Sequence, residues 1–132
     1  MSDVRKTRYS IYNINYHFVW IPKYRRSVLS GDIKEYLIQV LEKTARENEI
    51  EILNINIQPD HVHLFVSAPP RYSPAWLINT FKGVSSRRLR ERFPQLLKVH
   101  SQSLWTRTYY IGTAGHISAE NIQRYIDEMQ DD

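Results

Sequence analysis

Residues 51–67 read EILNINIQPDHVHLFVS, and this stretch decides the fold. In Glu51–Gln58 the apolar residues Ile52, Leu53, Ile55 and Ile57 are spaced among polar ones, the pattern of a half-buried strand. Pro59-Asp60 supplies turn chemistry. His61–Ser67 is a second strand, ended by Pro69-Pro70. Two strands with a two-residue break between them predict a β-hairpin.

The elements on either side complete the pattern. Upstream, Ile33, Tyr36, Leu37, Val40, Leu41 and Thr44 fall on one face of a helix over Asp32–Glu49. Asp32 with Glu35 three residues later predicts a capping box at its start. Before it, Ser10–Ile21 is rich in Tyr, Ile, Val, Phe and Trp, and Pro22 stops it as a strand. Residues 1–8 are polar and predict a loose arm. Downstream, Ser73 as N-cap and Pro74 at the first helical position open a second helix with Leu77, Ile78, Phe81 and Val84 inward. Pro94 stops it. Leu104–Ile111 predicts another strand, residues 112–115 a loop, and Ser118 the cap of a last helix with Ile122, Tyr125, Ile126 and Met129 on one side.

The order β-α-β-β-α-β-α is that of an α+β, ferredoxin-like split βαβ fold. It predicts an antiparallel sheet with helices on one face and an appended C-terminal helix. No linker, repeat or low-complexity tract divides residues 1–132, so a single domain is expected.

Composition narrows the function. At 42% hydrophobic and 24% charged residues the chain is neither disordered nor fibrous. No run approaches the roughly 18 apolar residues of a membrane span, and no apolar leader follows Met1. The absence of cysteine removes disulfides and thiolate metal sites and suits the cytoplasm. The net charge of +4 hides a segregation: residues 1–30 and 71–110 hold 14 Lys/Arg against 2 acids, and the remainder 4 against 12. Aromatics interleave with the basic stretches, as Tyr24 does beside Lys23, Arg25 and Arg26, and Tyr72 beside Arg71. Cations with aromatics suit single-stranded nucleic acid, through phosphate contacts and base stacking; a solvated basic face is the plainer alternative.

One motif carries candidate chemistry. Residues two apart on a strand share a face, so His61 and His63 project side by side. Such a pair either holds a divalent ion or packs as two half-buried imidazoles. Asp60 beside them is a candidate ligand or orienter of an imidazole. With no thiolate available, imidazole and oxygen ligation of Mg²⁺ or Mn²⁺ suits phosphodiester chemistry better than zinc. Tyr125, three residues after Ile122 on the apolar stripe, reads as a core tyrosine on periodicity. His17 reads as strand packing, His100 and His116 as loop residues. No glycine-rich phosphate loop is present, and Ser85-Ser86 lies on a helix with no base near in sequence.

Four stretches carry a resemblance to a known family. They are YHFVWIPKYRRSVL (16–29), QPDHVHLFV (58–66), FKGVSSRRL with Phe93-Pro94 (81–94), and LWTRTYYIG (104–112) with IQRYI (122–126). Together they resemble the single-tyrosine HUH transposases of the small IS200-like insertion sequences. The resemblance implies His61 and His63 as metal ligands and Tyr125 as the nucleophile that cleaves and rejoins single-stranded DNA through a 5′-phosphotyrosine. It implies a homodimer whose active site is shared between subunits and DNA hairpins at the element's ends as partner. Lys23, Arg25, Arg26, Lys82, Arg87, Arg88, Arg90 and Arg92 would then be DNA contacts. Members usually carry a glutamine four residues after the tyrosine as a third ligand; here that position is Met129. Glu128, about 60° from Tyr125 around the helix, or a shifted Gln130 is the expected substitute, with Asp60 a further candidate. A non-catalytic or domesticated relative that binds single-stranded DNA or hairpins is the alternative.

Overall fold

The computed structural model describes residues 4–113 and 115–129. Among the described residues six strands are present: β1 (Arg5–Lys6), β2 (Ile11–Tyr12), β3 (Asn15–Pro22), β4 (Glu51–Gln58), β5 (His61–Ser67) and β6 (Trp105–Gly112). Three α-helices join them: α1 (Gly31–Glu47), α2 (Pro74–Arg92) and α3 (Ala119–Glu128). The main sheet runs β4-β5-β3-β6, every neighbouring pair antiparallel. That is the ferredoxin-like order expected from the sequence.

The two faces of the sheet differ. Phe18, Trp20, Val62, Leu64 and Val66 point to one side, where they meet Leu37, Leu41 and Ala45 of α1 and Leu77, Ile78, Phe81 and Leu89 of α2. The indoles of Trp20 and Trp105 meet edge to face in this core, 5.8 Å apart and at 90°. Ser85 and Ser86, buried on α2, tie it to the start of β6. Ser85 Oγ accepts from the Trp105 indole at 2.9 Å and Ser86 Oγ from the Leu104 amide at 2.9 Å. The side chains between, Val19 and Ile21, point to the other side and pack against Ile126 of α3, flanked by Tyr110, Ile122 and Met129. Thus α1 and α2 share one face and α3 takes the opposite face of its own chain's sheet.

Local chemistry explains the boundaries. Ser73 and Ser118 cap as the sequence predicts, each hydroxyl accepting at 3.1 Å from a backbone amide three residues on. Helix α1 begins one residue earlier than expected. Ser30 is its N-cap, without a side-chain cap bond, and Gly31 takes φ +56°. Asp32 therefore lies inside the first turn, where a carboxylate suits the helix dipole rather than a capping box. The uneven spacing in β4 is a β-bulge: its register to β5 shifts between Ile52 and Asn54 and leaves Leu53 exposed. The expected loose arm is partly pinned. Arg5 and Lys6 pair with Tyr12 and Ile11, and the Arg5 guanidinium donates to the Ser67 carbonyl at 2.9 Å and the Glu49 carbonyl at 3.2 Å. Residues 1–3 lie outside the described residues.

The chain leaves β3 through a strained turn. Tyr24 (φ 60°) and Arg25 (φ 49°) are consecutive non-glycine residues in the left-handed region. Each such residue costs about 1–2 kcal/mol.

Candidate active site and nucleic-acid interface

The face that carries α3 also carries the histidines. Val19 at the centre of the sheet pairs with His63 on one side and Tyr110 on the other, and His63 pairs in turn with Asn56. Paired residues share a face, so His63, Val19 and Tyr110 form one row beneath α3. His61 lies two residues from His63 on the same face, as strand geometry requires.

The two imidazoles are held differently. His61 Nδ1 lies 3.0 Å from Asp60 Oδ1. A carboxylate only accepts, so Nδ1 donates and the lone pair is on Nε2. The other Asp60 oxygen accepts from Arg25 Nε at 3.1 Å. Burial alone would raise the Asp60 pKa, but the hydrogen bonds and charges of His61 and Arg25 outweigh it and hold the carboxyl below its usual range. His63 is buried, and its Nε2 lies 2.9 Å from His17 Nδ1. Burial, with His17 and His61 beside it, pushes its pKa down to about 4, so the ring is neutral at pH 7. His17 in turn stacks on Phe65, with centroids 3.9 Å apart. His17 is therefore part of this site, a role that its place in the sequence did not reveal.

Tyr125 is half-buried on α3, its ring stacked on Tyr110. Burial and the neighbouring Tyr125 push the Tyr110 phenol up. Tyr110 reclines along its strand over Gly112, where an added β-carbon would meet the ring's Cζ at 2.8 Å. Two residues beyond Tyr125, Asp127 Oδ1 accepts from Arg25 Nη1 at 3.0 Å and from Gln123 Nε2 at 3.0 Å. Met129 belongs to the apolar cluster under α3. Glu128 is exposed, and Gln130 lies outside the described residues.

The basic residues diverge. Lys23, Lys82, Arg87 and Arg90 line one cleft of about 720 Å³ with Arg107, Asn79 and Gln102, and none of the described residues lining it is acidic. Asn79, Gly83, Ser86 and Arg90 recur at helical spacing on α2, so that face of α2 forms a wall of the cleft. Lys82 Nζ donates to the Thr106 carbonyl at 2.7 Å, and burial lowers its pKa to about 8. Arg88 faces the groove between α1 and α2, Arg92 lies over the Phe93 ring, and Arg26 lines a smaller cleft beside His100. His100 and His116 both lie in loops, as expected; His100 is buried and His116 exposed. Among the described residues, Arg25 alone of the eight expected contacts is ion-paired to two carboxylates.

A family model described as "Transposase IS200 like" matches residues 10–129. The chain belongs to the IS200-like transposase family. It is 35% identical over 130 residues to the ISDra2 transposase TnpA of Deinococcus radiodurans, covering 98% of this chain and 93% of that protein. It is 33% identical over 127 residues to the transposase for insertion sequence element IS200 of Salmonella typhimurium, covering 96% and 83%. The crystal structure described as a transposase from Deinococcus radiodurans superposes with a TM-score of 0.86 at 32% identity, over 96% of this chain and 97% of that one. The structure of a REP-associated tyrosine transposase bound to a REP hairpin shares the fold, with a TM-score of 0.53 at 18% identity, over 96% and 69%.

The divalent ion implied by the IS200-like family can be weighed against these side chains. His61 and His63 offer two imidazoles on one face of the sheet, which fits. Each Asp60 oxygen accepts one hydrogen bond, from His61 or from Arg25, which fits its expected role as orienter of the imidazole. Among the described residues, no cluster of three or more His, Cys, Asp or Glu could hold an ion. No helix among them is long and apolar enough to cross a membrane.

Proposed function

We propose that this transposase cleaves and rejoins single-stranded DNA by tyrosine transesterification with Mg²⁺ or Mn²⁺, acting at element ends that carry hairpins. One observation carries the reading: the helix bearing Tyr125 is seated on the same face of the sheet as His61 and His63. In the reaction, the Tyr125 hydroxyl oxygen bonds to phosphorus as the bond to the 3′-oxygen breaks. The phenol proton passes to solvent, and the departing 3′-oxygen takes one up to become a free 3′-OH. The strand keeps its phosphate on the tyrosine, and attack by another 3′-OH reverses the step and joins strands.

His61 and His63 would hold the ion through imidazole nitrogens, the remaining positions falling to water and phosphate oxygens. Bound there, the ion would polarise the phosphate and favour departure of the 3′-oxygen. His63 would exchange its contact with His17 for the ion if it ligates through Nε2. The basic cleft supports a path for a phosphate backbone. Hairpin recognition is supported by the hairpin bound to the fold relative. A homodimer with a shared active site fits the small, open site. α3 rests on its own chain here, so such sharing would require it to be exchanged between subunits.

The test is a covalent-adduct assay with labelled single-stranded DNA from the element's ends and Mn²⁺. A metal-dependent protein–DNA band lost in Tyr125→Phe supports the reading. The His61→Ala/His63→Ala pair should lose metal-dependent cleavage. Hairpin binding with no adduct would favour the binding-only relative, in which Met129 serves packing alone.

A further inference from the structure

We propose that Arg25 is a positioning residue that seats the Tyr125 helix and orients the His61 imidazole together; this rests on the roles of His61 and Tyr125 proposed above. Its guanidinium joins two carboxylates from different parts of the fold. Nε donates to Asp60 Oδ2 at 3.1 Å and Nη1 to Asp127 Oδ1 at 3.0 Å. Asp60 spends its other oxygen on His61 Nδ1, and Asp127 is also held by Gln123. A continuous polar chain thus runs from the histidine strand, through one arginine, to the residue two positions after the tyrosine.

Two further features support the role. The backbone that presents Arg25 is the left-handed pair Tyr24–Arg25. Strain of this kind persists only where surrounding contacts over-determine it, and it concentrates at functional positions. Beyond this clasp, helix α3 is held by the small apolar cluster around Ile126 and by the Tyr110–Tyr125 stack. It has ten residues, and Ile126 is its one fully buried side chain. A helix of that length is marginal alone. Arginine suits the position because its planar fork can engage separate carboxylates from different edges, whereas lysine brings a point charge.

Hydrogen exchange on the DNA-free protein tests the clasp. Arg25→Ala should speed exchange in residues 119–128 by about two- to fivefold, with α1 and β5 unchanged. Asp127→Asn should do the same, and the double variant should add nothing. Arg25→Ala should also weaken Mn²⁺ binding, read by titration without DNA, by about tenfold through loss of the partner that orients Asp60. Unchanged α3 exchange in Arg25→Ala would overturn the proposal, as would faster exchange spread over the whole chain or a loss confined to DNA affinity. These readouts need no cleavage. An adduct surviving Tyr125→Phe would remove the transesterase reading while leaving the clasp of α3 standing, and an unmoved α3 would do the reverse.

Discussion

The ring of Tyr110 lies flat against that of Tyr125, with centroids 3.9 Å apart and planes 7° from parallel. The contact joins the edge strand of the sheet to the helix opposite, and Gly112 makes room for it. Tyr110→Ala should lower the rate of adduct formation about tenfold, since stacked pairs contribute about 0.5–1.5 kcal/mol beyond their burial. Tyr110→Phe should keep most of the rate. Gly112→Ala should mimic Tyr110→Ala by pushing the ring aside, and should have little further effect in a Tyr110→Ala background. Single-turnover adduct kinetics on the four variants test this coupling.

Binding in the basic cleft should weaken with pH sooner than for an ordinary lysine contact. The folded-state pKa of Lys82 is lowered to about 8 by burial. Its charge is therefore largely lost between pH 7 and 9. Hairpin affinity should fall across that window, and Lys82→Arg should flatten the profile. Stability moves the other way. The unfolded chain binds the Lys82 proton more tightly, so this group's contribution rises with pH from about 8 to the unfolded value near 10.4. Fluorescence binding titrations and urea melts at several pH values separate the two trends.

Salt should distinguish the residues that line the cleft from those that do not. Arg87 and Arg90 line it, whereas Arg88 faces the groove between the helices. Removing one cation from a phosphate should reduce the slope of log K against log salt by about one. Arg87→Ala and Arg90→Ala should each show that reduction, and Arg88→Ala should leave the slope near wild type.

Ser85→Ala should destabilise the fold by about 1–3 kcal/mol in urea unfolding, because the buried Trp105 indole N–H loses its acceptor. Ser85→Thr keeps the hydroxyl and should recover part of the loss.

Much of the fold was legible because its signals are local. The Ser73-Pro74 and Ser118 caps, the apolar stripes of the helices and the hairpin at Pro59-Asp60 each depend on residues within a few positions. The expectations that shifted depended on backbone conformation. Ser30 and Gly31 start α1 without a capping side chain, and the bulge at Leu53 breaks an alternation that composition cannot phase. In the site, His61 and His63 were legible because a strand's period alone aligns them. His17 was not, because its partner lies on a neighbouring strand 46 residues away. Nor was the pairing of Arg25 with Asp127, which lie 102 residues apart. Their proximity exists only after α3 crosses to the far face of the sheet. A dense basic stretch reads as uniformly DNA-facing, yet Arg25 within it is ion-paired to protein.

The shortness of α3 has a kinetic consequence. A ten-residue helix with one fully buried side chain belongs to the low-stability end of the fold, where local opening costs least. On the transesterase reading, only molecules with the helix bound present the tyrosine, so the observed rate is the chemical rate multiplied by that fraction. A substitution that moved the bound fraction from about nine-tenths to about one-tenth would slow cleavage about ninefold without touching a reacting atom. Temperature, salt and the character of residue 129 would then alter turnover through occupancy alone. Two copies of the enzyme with identical histidines and tyrosine could differ widely in speed.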